Sequence, residues 1–295
     1  MPLQETVGAV GPIVSGRVRC ESERELRGDD DLVQVHRREI DGASIVVLRL
    51  NRPEQLNPID KDTIAALVAE LDDLCSDVRQ APDAIIITGN GTAFSAGGDL
   101  KGYQSLYHDP ARFRRFQDDF DAACAILERC RPLTVAMVNG ACVAGGLELA
   151  LACDLITMSR SAKIGDGHLR FAQLPGAGGS QRLVRAIGVQ RAKRWLLTGD
   201  LFDADAAHDS GLTTLLADAD DLEHQTLELA VRLSARTPLG RERMKELIGI
   251  AQVTPLDEGL RRESAIVHSY ATTSFDAVEG LSAFADRRPA RYRGE

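Results

Sequence analysis

A single acid, Glu148, stands in an otherwise apolar, helix-like stretch at residues 140–154, which reads GACVAGGLELALACD. A carboxylate there is costly unless it is paired or put to use, because leaving water disfavours its charged form. Glycines just before it can turn backbone N–H groups toward a ligand, since no Cβ blocks the approach. A helix starting near Gly146 would add its partial positive charge at the same place. Oriented amides beside a buried acid are the parts needed to stabilise an oxyanion and to move a proton. Two further glycine-rich loops also follow apolar runs: FSAGGDL, with Gly97, Gly98 and Asp99, and GDGHLRFAQLPGAGGSQ. Sheet-based folds place ligand sites at such loops.

The elements that must hold these loops follow from the hydrophobic pattern. VQVHRREIDGASIVVLRLN reads as two strands about an Asp41–Gly42 turn. DKDTIAALVAELDDLCSDV has apolar residues at helical spacing behind Asp60, a natural N-cap. AIIITG, RPLTVAMVNG and DLITMS read as buried strands, and PARFRRFQDDFDAACAILERC as an amphipathic helix. SQRLVRAIG, RAKRWLLTG and DADAAHDSG continue as helices before LTTLLAD, a last strand. Strand and helix therefore alternate to about Ala217, and from Asp221 only helical periodicity remains. This predicts an α/β core over 32–220 and an all-helical C-terminal segment over 221–295. Residues 1–31 are weakly hydrophobic and end in a charged run, which predicts a disordered extension outside the fold.

Composition narrows the function. The chain has 295 residues, 44% of them hydrophobic and 27% charged, which suits a globular protein with a substantial core. A net charge of −9 argues against nucleic acid or an anionic membrane surface as partner. The six cysteines form no C-x-x-C pair, so neither a disulfide framework nor a zinc site is expected. Together with the lack of a signal peptide or a membrane-spanning run, this predicts a cytoplasmic protein. Gly140 and Gly145 begin a phosphate-loop pattern, but Gly146 and Leu147 stand where Lys and Ser or Thr are required. No G-x-S-x-G elbow is present, and Ser180 has no evident base. Nucleotide hydrolysis and serine hydrolysis are disfavoured.

The combination of FSAGGDLK, PLTVAMVNGACVAGGLELALACDL, LPGAGGSQRLVRAIG and LLTG closely resembles the crotonase, or enoyl-CoA hydratase/isomerase, superfamily. NRPEQLN and the ending GLSAFADRR fit the same family, and the resemblance runs from about Val33 to the C-terminus. It implies a crotonase-like spiral of strand–strand–helix units, with the C-terminal helices serving oligomerisation as a homotrimer or dimer of trimers. The family's oxyanion hole falls on the backbone N–H groups of Gly98 and Gly145, which would hold an acyl-CoA thioester oxygen. Its water-activating glutamate falls on Glu148. Its second glutamate, which exchanges the α-proton, falls twenty positions later on His168, so this chain departs from the hydratase pattern there.

An imidazole can act as acid or base near neutral pH. The resemblance therefore implies hydration of a 2-enoyl-CoA, with Glu148 delivering water and His168 exchanging the C2 proton. Two alternatives stand beside it: hydrolytic C–C cleavage of a β-diketone, and a non-catalytic acyl-CoA-binding member. His168 is otherwise a pocket-lining residue. Asp166 could orient the imidazole or simply shape a turn. The resemblance also places CoA along NRPEQLN and Lys101, with Phe284 and Arg287 supplied by a neighbouring subunit. It implies no metal or redox cofactor, CoA being part of the substrate.

Overall fold

The computed structural model describes residues 20–27 and 31–295. Strand β1 (Cys20–Arg27) runs antiparallel to β2 (Val33–Ile40) at the edge of the main sheet. This corrects the expectation that 1–31 stands outside the fold. CESERELR carries no apolar face to read, but edge pairing rests on backbone groups, which any sequence without proline supplies. Glu23 accepts two hydrogen bonds from Arg38 of β2, at 2.9 and 3.1 Å. Residues 1–19 and 28–30, which share that expectation, lie outside the described residues.

Asp41 and Gly42 turn β2 into β3 (Ala43–Leu50), both at positive φ, as a two-residue hairpin requires. Helix α1 (Lys61–Ser76) starts where expected, Asp60 accepting hydrogen bonds from the amides of Asp62 and Thr63. Strand β4 (Ala84–Gly89) and the short β5 (Ala93–Ser95) lead into α2 (Leu100–Tyr107) and α3 (Pro110–Arg129). Next come β6 (Leu133–Val138), β7 (Ala141–Val143), α4 (Gly145–Leu151), β8 (Leu155–Ser159) and β9 (Lys163–Gly165). A 3₁₀ turn (His168–Phe171) precedes α5 (Gly179–Ile187), α6 (Val189–Thr198), β10 (Phe202–Asp203), α7 (Ala204–Asp209) and β11 (Leu215–Ala217). Four helices close the chain: α8 (Leu222–Ser234), α9 (Pro238–Val253), α10 (Leu256–Thr273) and α11 (Phe275–Ala285).

The main sheet has the order β1-β2-β3-β4-β6-β8-β11, antiparallel through β3 and parallel beyond it. Its parallel strands are apolar on both faces because both are covered. Val46, Leu48, Ile85 and Ile87 share one core with Ile64, Leu67 and Leu71 of α1 and Phe116, Phe120 and Leu127 of α3. Their neighbours Ile45, Val47 and Ile86, one residue out of phase, face Leu222, Leu227 and Ala230 of α8. Helix α8 thus belongs to the α/β body, which moves the body's edge from 220 to Ser234. Helix periodicity alone could not tell a helix under the sheet from one beyond it.

A second sheet, with the order β10-β9-β7-β5, positions the glycine loops. Strands β5, β7 and β9 are parallel, and the three loops leave their C-terminal ends. Gly98 comes three residues after β5, Gly145 two after β7, and Asp166 directly after β9. These strands are two or three residues long, too short for any periodicity to reveal them in the sequence.

Candidate active site

The first two loops meet back to back. A Cβ placed on Gly97 would stand 2.9 Å from Val143 O and 3.6 Å from Gly145 N. Residues 56–59 brace the first of them: Leu56 O accepts from Ala96 N and Gly97 O from Ile59 N, each at 2.9 Å. Asn57, fully buried, donates to Asn90 O and Ala93 O at 2.9 and 2.8 Å. At least this asparagine of NRPEQLN works as scaffold for the Gly98 loop. Gly98 is required by close approach, since a Cβ there would collide with the ring and hydroxyl of Tyr103.

Just before Gly145, Ala144 has φ 51° and ψ −116°, a region that side-chain-bearing residues rarely occupy. Such a conformation costs on the order of 1–3 kcal/mol and persists only where the surroundings enforce it. Here Ala144 N donates to Gly165 O at 3.1 Å, and Ala144 O accepts the Glu148 amide at 3.0 Å. The strained turn sets the first residue of α4 and places Glu148 in its opening turn.

Glu148 is 2% exposed. Its Oε1 accepts hydrogen bonds from the amides of Ala177 and Gly179, at 2.7 and 2.9 Å, at the start of α5. Gly179 is glycine because a Cβ would press on Glu148 Cγ at 2.9 Å. With Oε1 committed, Oε2 stands 3.9 Å from His168 Nε2. Burial pushes the Glu148 carboxyl above the usual carboxylate range, against the opposing pull of the Gly179 amide, His168 and the Ala177 amide.

His168 is oriented from behind. Its Nδ1 lies 3.0 Å from Asp166 Oδ1, and Asp166 is 1% exposed. The His168 amide also points at Asp166 Oδ2, at 3.4 Å. Between them Gly167 takes φ 66°, letting the chain double back so that both residues face each other. Burial draws the imidazole pKa down, but the Asp166 hydrogen bond and charge and the Glu148 charge outweigh it and leave it raised. Asp166, His168 and Glu148 thus form a connected series, Asp166 holding Nδ1 of the imidazole while Nε2 faces Glu148 Oε2.

The structure brings together Gly98, Gly145, Glu148, Asp166 and His168. It does not bring Phe284 or Arg287 to them within one chain. Phe284 is 78% exposed at the end of α11, Arg287 follows it at φ 54°, and α11 packs on α9 and α10. Lys101 lies in α2, but its side chain falls outside the described residues. Sequence reasoning missed Tyr103, Ala144, Gly167 and the Ala177 and Gly179 amides. Only LPGAGG hinted at the last two, as a glycine loop without an assigned task. Burial and the Glu148 charge push the Tyr103 phenol far above its usual range, so it stays a neutral donor.

Asp154 is structural. It accepts from Thr134 N at 2.8 Å and pairs with Lys245 at 2.8 Å, bolting α9 to the sheet. Among the described residues all six cysteines are free thiols, and no group of three or more His, Cys, Asp or Glu side chains is arranged to hold a metal ion. No helix among them is long and apolar enough to cross a membrane.

Two mixed sheets, the smaller one carrying three glycine loops beside a buried acid, define an α/β fold with a candidate site at the ends of its short parallel strands. The sequence profile of the enoyl-CoA hydratase/isomerase family matches residues 41–295. The probable enoyl-CoA hydratase echA8 of Mycobacterium tuberculosis is 36% identical over 248 residues, covering 83% of this chain and 93% of its own length. The 2,3-dehydroadipyl-CoA hydratase of Escherichia coli is 31% identical over 250 residues, 85% of this chain and 95% of its own. The crystal structure of enoyl-CoA hydratase from Bacillus anthracis superposes with a TM-score of 0.82 at 30% identity, covering 90% of this chain and all of that one. The chain belongs to the enoyl-CoA hydratase/isomerase family, and its fold is the crotonase fold.

Proposed function

We propose that this chain hydrates a 2-enoyl-CoA to a 3-hydroxyacyl-CoA, and that the line Asp166–His168–Glu148 is its proton machinery. The observation that carries this is the 3.9 Å gap between Glu148 Oε2 and His168 Nε2, with Oε1 held by two amides and Nδ1 by Asp166. A water resting beside that pair gives a proton to Glu148 Oε2 while its oxygen bonds to C3. Electrons move from the C2–C3 double bond onto the thioester oxygen, which the Gly98 and Gly145 amides hold. Each such donor lowers the barrier by about 3 kcal/mol. The enolate collapses, and C2 takes the proton from His168 Nε2. The site is then left with Glu148 protonated and His168 neutral, and transfer across the same gap restores both. The scheme uses no metal or redox group, CoA being part of the substrate.

Positioning on CoA belongs to the same proposal. Lys101 would approach the CoA phosphates, and Phe284 and Arg287 would reach the site from a neighbouring subunit. Helices α9–α11 expose the apolar side chains of Ile248, Val253, Leu256, Leu260, Leu281 and Phe284 by 54–78%, which a neighbouring subunit would cover. Assembly as a homotrimer or dimer of trimers in the cytoplasm would provide that subunit. The test is loss of the conjugated-thioester absorbance of short enoyl-CoAs, with the parent, His168→Ala and His168→Glu. Loss with alanine and recovery with glutamate supports the proton role. Equal rates in all three would reduce His168 to pocket lining, and no turnover of any enoyl-CoA would end the hydratase reading.

A further inference from the structure

A series of aromatic rings runs from the core beside Gly145 out to the surface, its inner members Phe120 and Phe116 buried and its outer member Tyr107 exposed. Phe120 stands beside Gly145, where an added Cβ would meet its Cε1 at 3.4 Å. Phe116 follows, 6.3 Å away between ring centroids, and then Tyr103, edge-on at 5.8 Å and lying over Gly98. Tyr107, one turn further along α2, stacks on Tyr103 at 5.9 Å with 21° between the planes. Phe113 backs it edge-on at 5.1 Å. Stacked and edge-on rings of this kind hold one another in fixed orientations.

The outer end of the series is tied to the other side of the site. The Tyr107 hydroxyl donates to Gln173 Oε1, on the loop that begins with His168. Gln173 is itself held, its amide donating to His168 O at 3.1 Å and its Nε2 to Phe171 O at 3.0 Å. Tyr107 is 44% exposed, so this bridge lies at the surface, beyond the catalytic pair. With a thioester oxygen at Gly98 and Gly145 and C2–C3 at Glu148 and His168, an acyl group directed outward would pass Tyr103 and meet the Tyr107–Gln173 bridge, Phe116 and Phe120 supporting those rings from the core. A planar, conjugated group gains stacking there. A long flexible tail must part Tyr107 from Gln173.

We infer that Tyr107 is a specificity-determining residue: its ring and its bridge to Gln173 close the outer end of the acyl pocket and fit it to compact, conjugated acyl groups. The inference rests on the hydratase reading. The test compares kcat/KM for crotonyl-, cinnamoyl- and 2-dodecenoyl-CoA in the parent, Tyr107→Ala, Tyr107→Phe and Gln173→Ala. The parent is expected to favour crotonyl- and cinnamoyl- over dodecenoyl-CoA at least tenfold. Tyr107→Ala reduces that preference at least tenfold, mainly by lowering KM for the long substrate. Tyr107→Phe keeps the ring and its packing, so its threefold or greater reduction, matched by Gln173→Ala, isolates the bridge. Turnover of crotonyl-CoA with a ratio unchanged in every variant overturns this inference and leaves the hydratase reading standing. A parent that prefers the long substrate does the same. No turnover of any of the three overturns both.

Discussion

Replacing Asp166 by asparagine removes one charge and almost no volume from behind His168. The asparagine carbonyl can still accept the Nδ1–H bond that Asp166 Oδ1 now makes at 3.0 Å, so the ring keeps its direction. What is lost is the attraction between a buried carboxylate and the imidazolium. Hydrogen bonds to a charged partner contribute about 1.5–3 kcal/mol, against about 1 for neutral ones. The protonated form of His168 is therefore disfavoured by roughly 1–2 kcal/mol, or about five- to thirtyfold in population. The sign is fixed by opposing effects on the imidazole: burial lowers its pKa, and Asp166 and Glu148 raise it. Without Asp166, burial has less to oppose it and the pKa falls.

The assay is kcat/KM against pH. In the parent, activity is expected to rise as Glu148 loses its proton, above the usual carboxylate range, and to fall as His168 loses its own, above the usual imidazole range. Asp166→Asn is expected to move the alkaline limb to lower pH, with the rate at pH 8 down about five- to thirtyfold and partly recovered near pH 6. An alkaline limb that stays in place, with a uniform loss at every pH, would show that Asp166 shapes the loop and does not set the charge on His168.

Three more changes test the rest of the site. Gly98→Ala drives a Cβ into the Tyr103 hydroxyl and displaces the amide proposed to hold the thioester oxygen, so kcat should fall about 10²–10³-fold with a near-normal unfolding profile. Ala144→Gly relieves the φ 51° turn; strain relief of about 1–3 kcal/mol against a glycine entropy cost of about 0.5–1 predicts a net gain near 1 kcal/mol, read as a higher urea midpoint. A lower midpoint would mean the turn is not strained. Leu281→Glu puts a charge on a side chain that is 74% exposed within one chain, and it should shift the protein toward smaller species in size-exclusion chromatography if α11 is covered by another subunit. An unchanged elution volume would remove α11 from the interface.

Most of the frame was legible because its signals are local. The Asp41–Gly42 hairpin, the Asp60 cap and the β-branched runs at 84–89 and 133–138 each carry their instructions within a few residues. The acid at 148 was legible because a carboxylate in an apolar helix is costly unless used. What escaped has a common physical cause. Strand β1 is held by edge pairing without an apolar pattern, and β5, β7, β9 and β10 are too short to have a period. The place of α8 beneath the sheet depends on long-range packing. The amides that fix Glu148 Oε1 are backbone groups, which no residue type announces. Tyr103 and Tyr107 sit in a helix hidden behind a glycine loop, where neither period nor motif marks them.

The four-stranded sheet turns the accuracy of the site into a matter of register. Gly98, Gly145 and Asp166 come from stretches nearly seventy positions apart in the chain, yet each leaves a neighbouring strand within three residues. One residue inserted between strand and loop would move its group by about 3.3 Å and turn it to the opposite face. The distances from β5 to Gly98, from β7 to Gly145 and from β9 to Asp166 are thus fixed lengths. The stretches beyond them are constrained at single points instead: Tyr103 of α2 lies against Gly98, and the Ala177 and Gly179 amides after His168 hold Glu148 Oε1. Length can therefore change only between those anchors, and a loop exchanged whole must bring its own ring against Gly98 or its own pair of amides for Glu148.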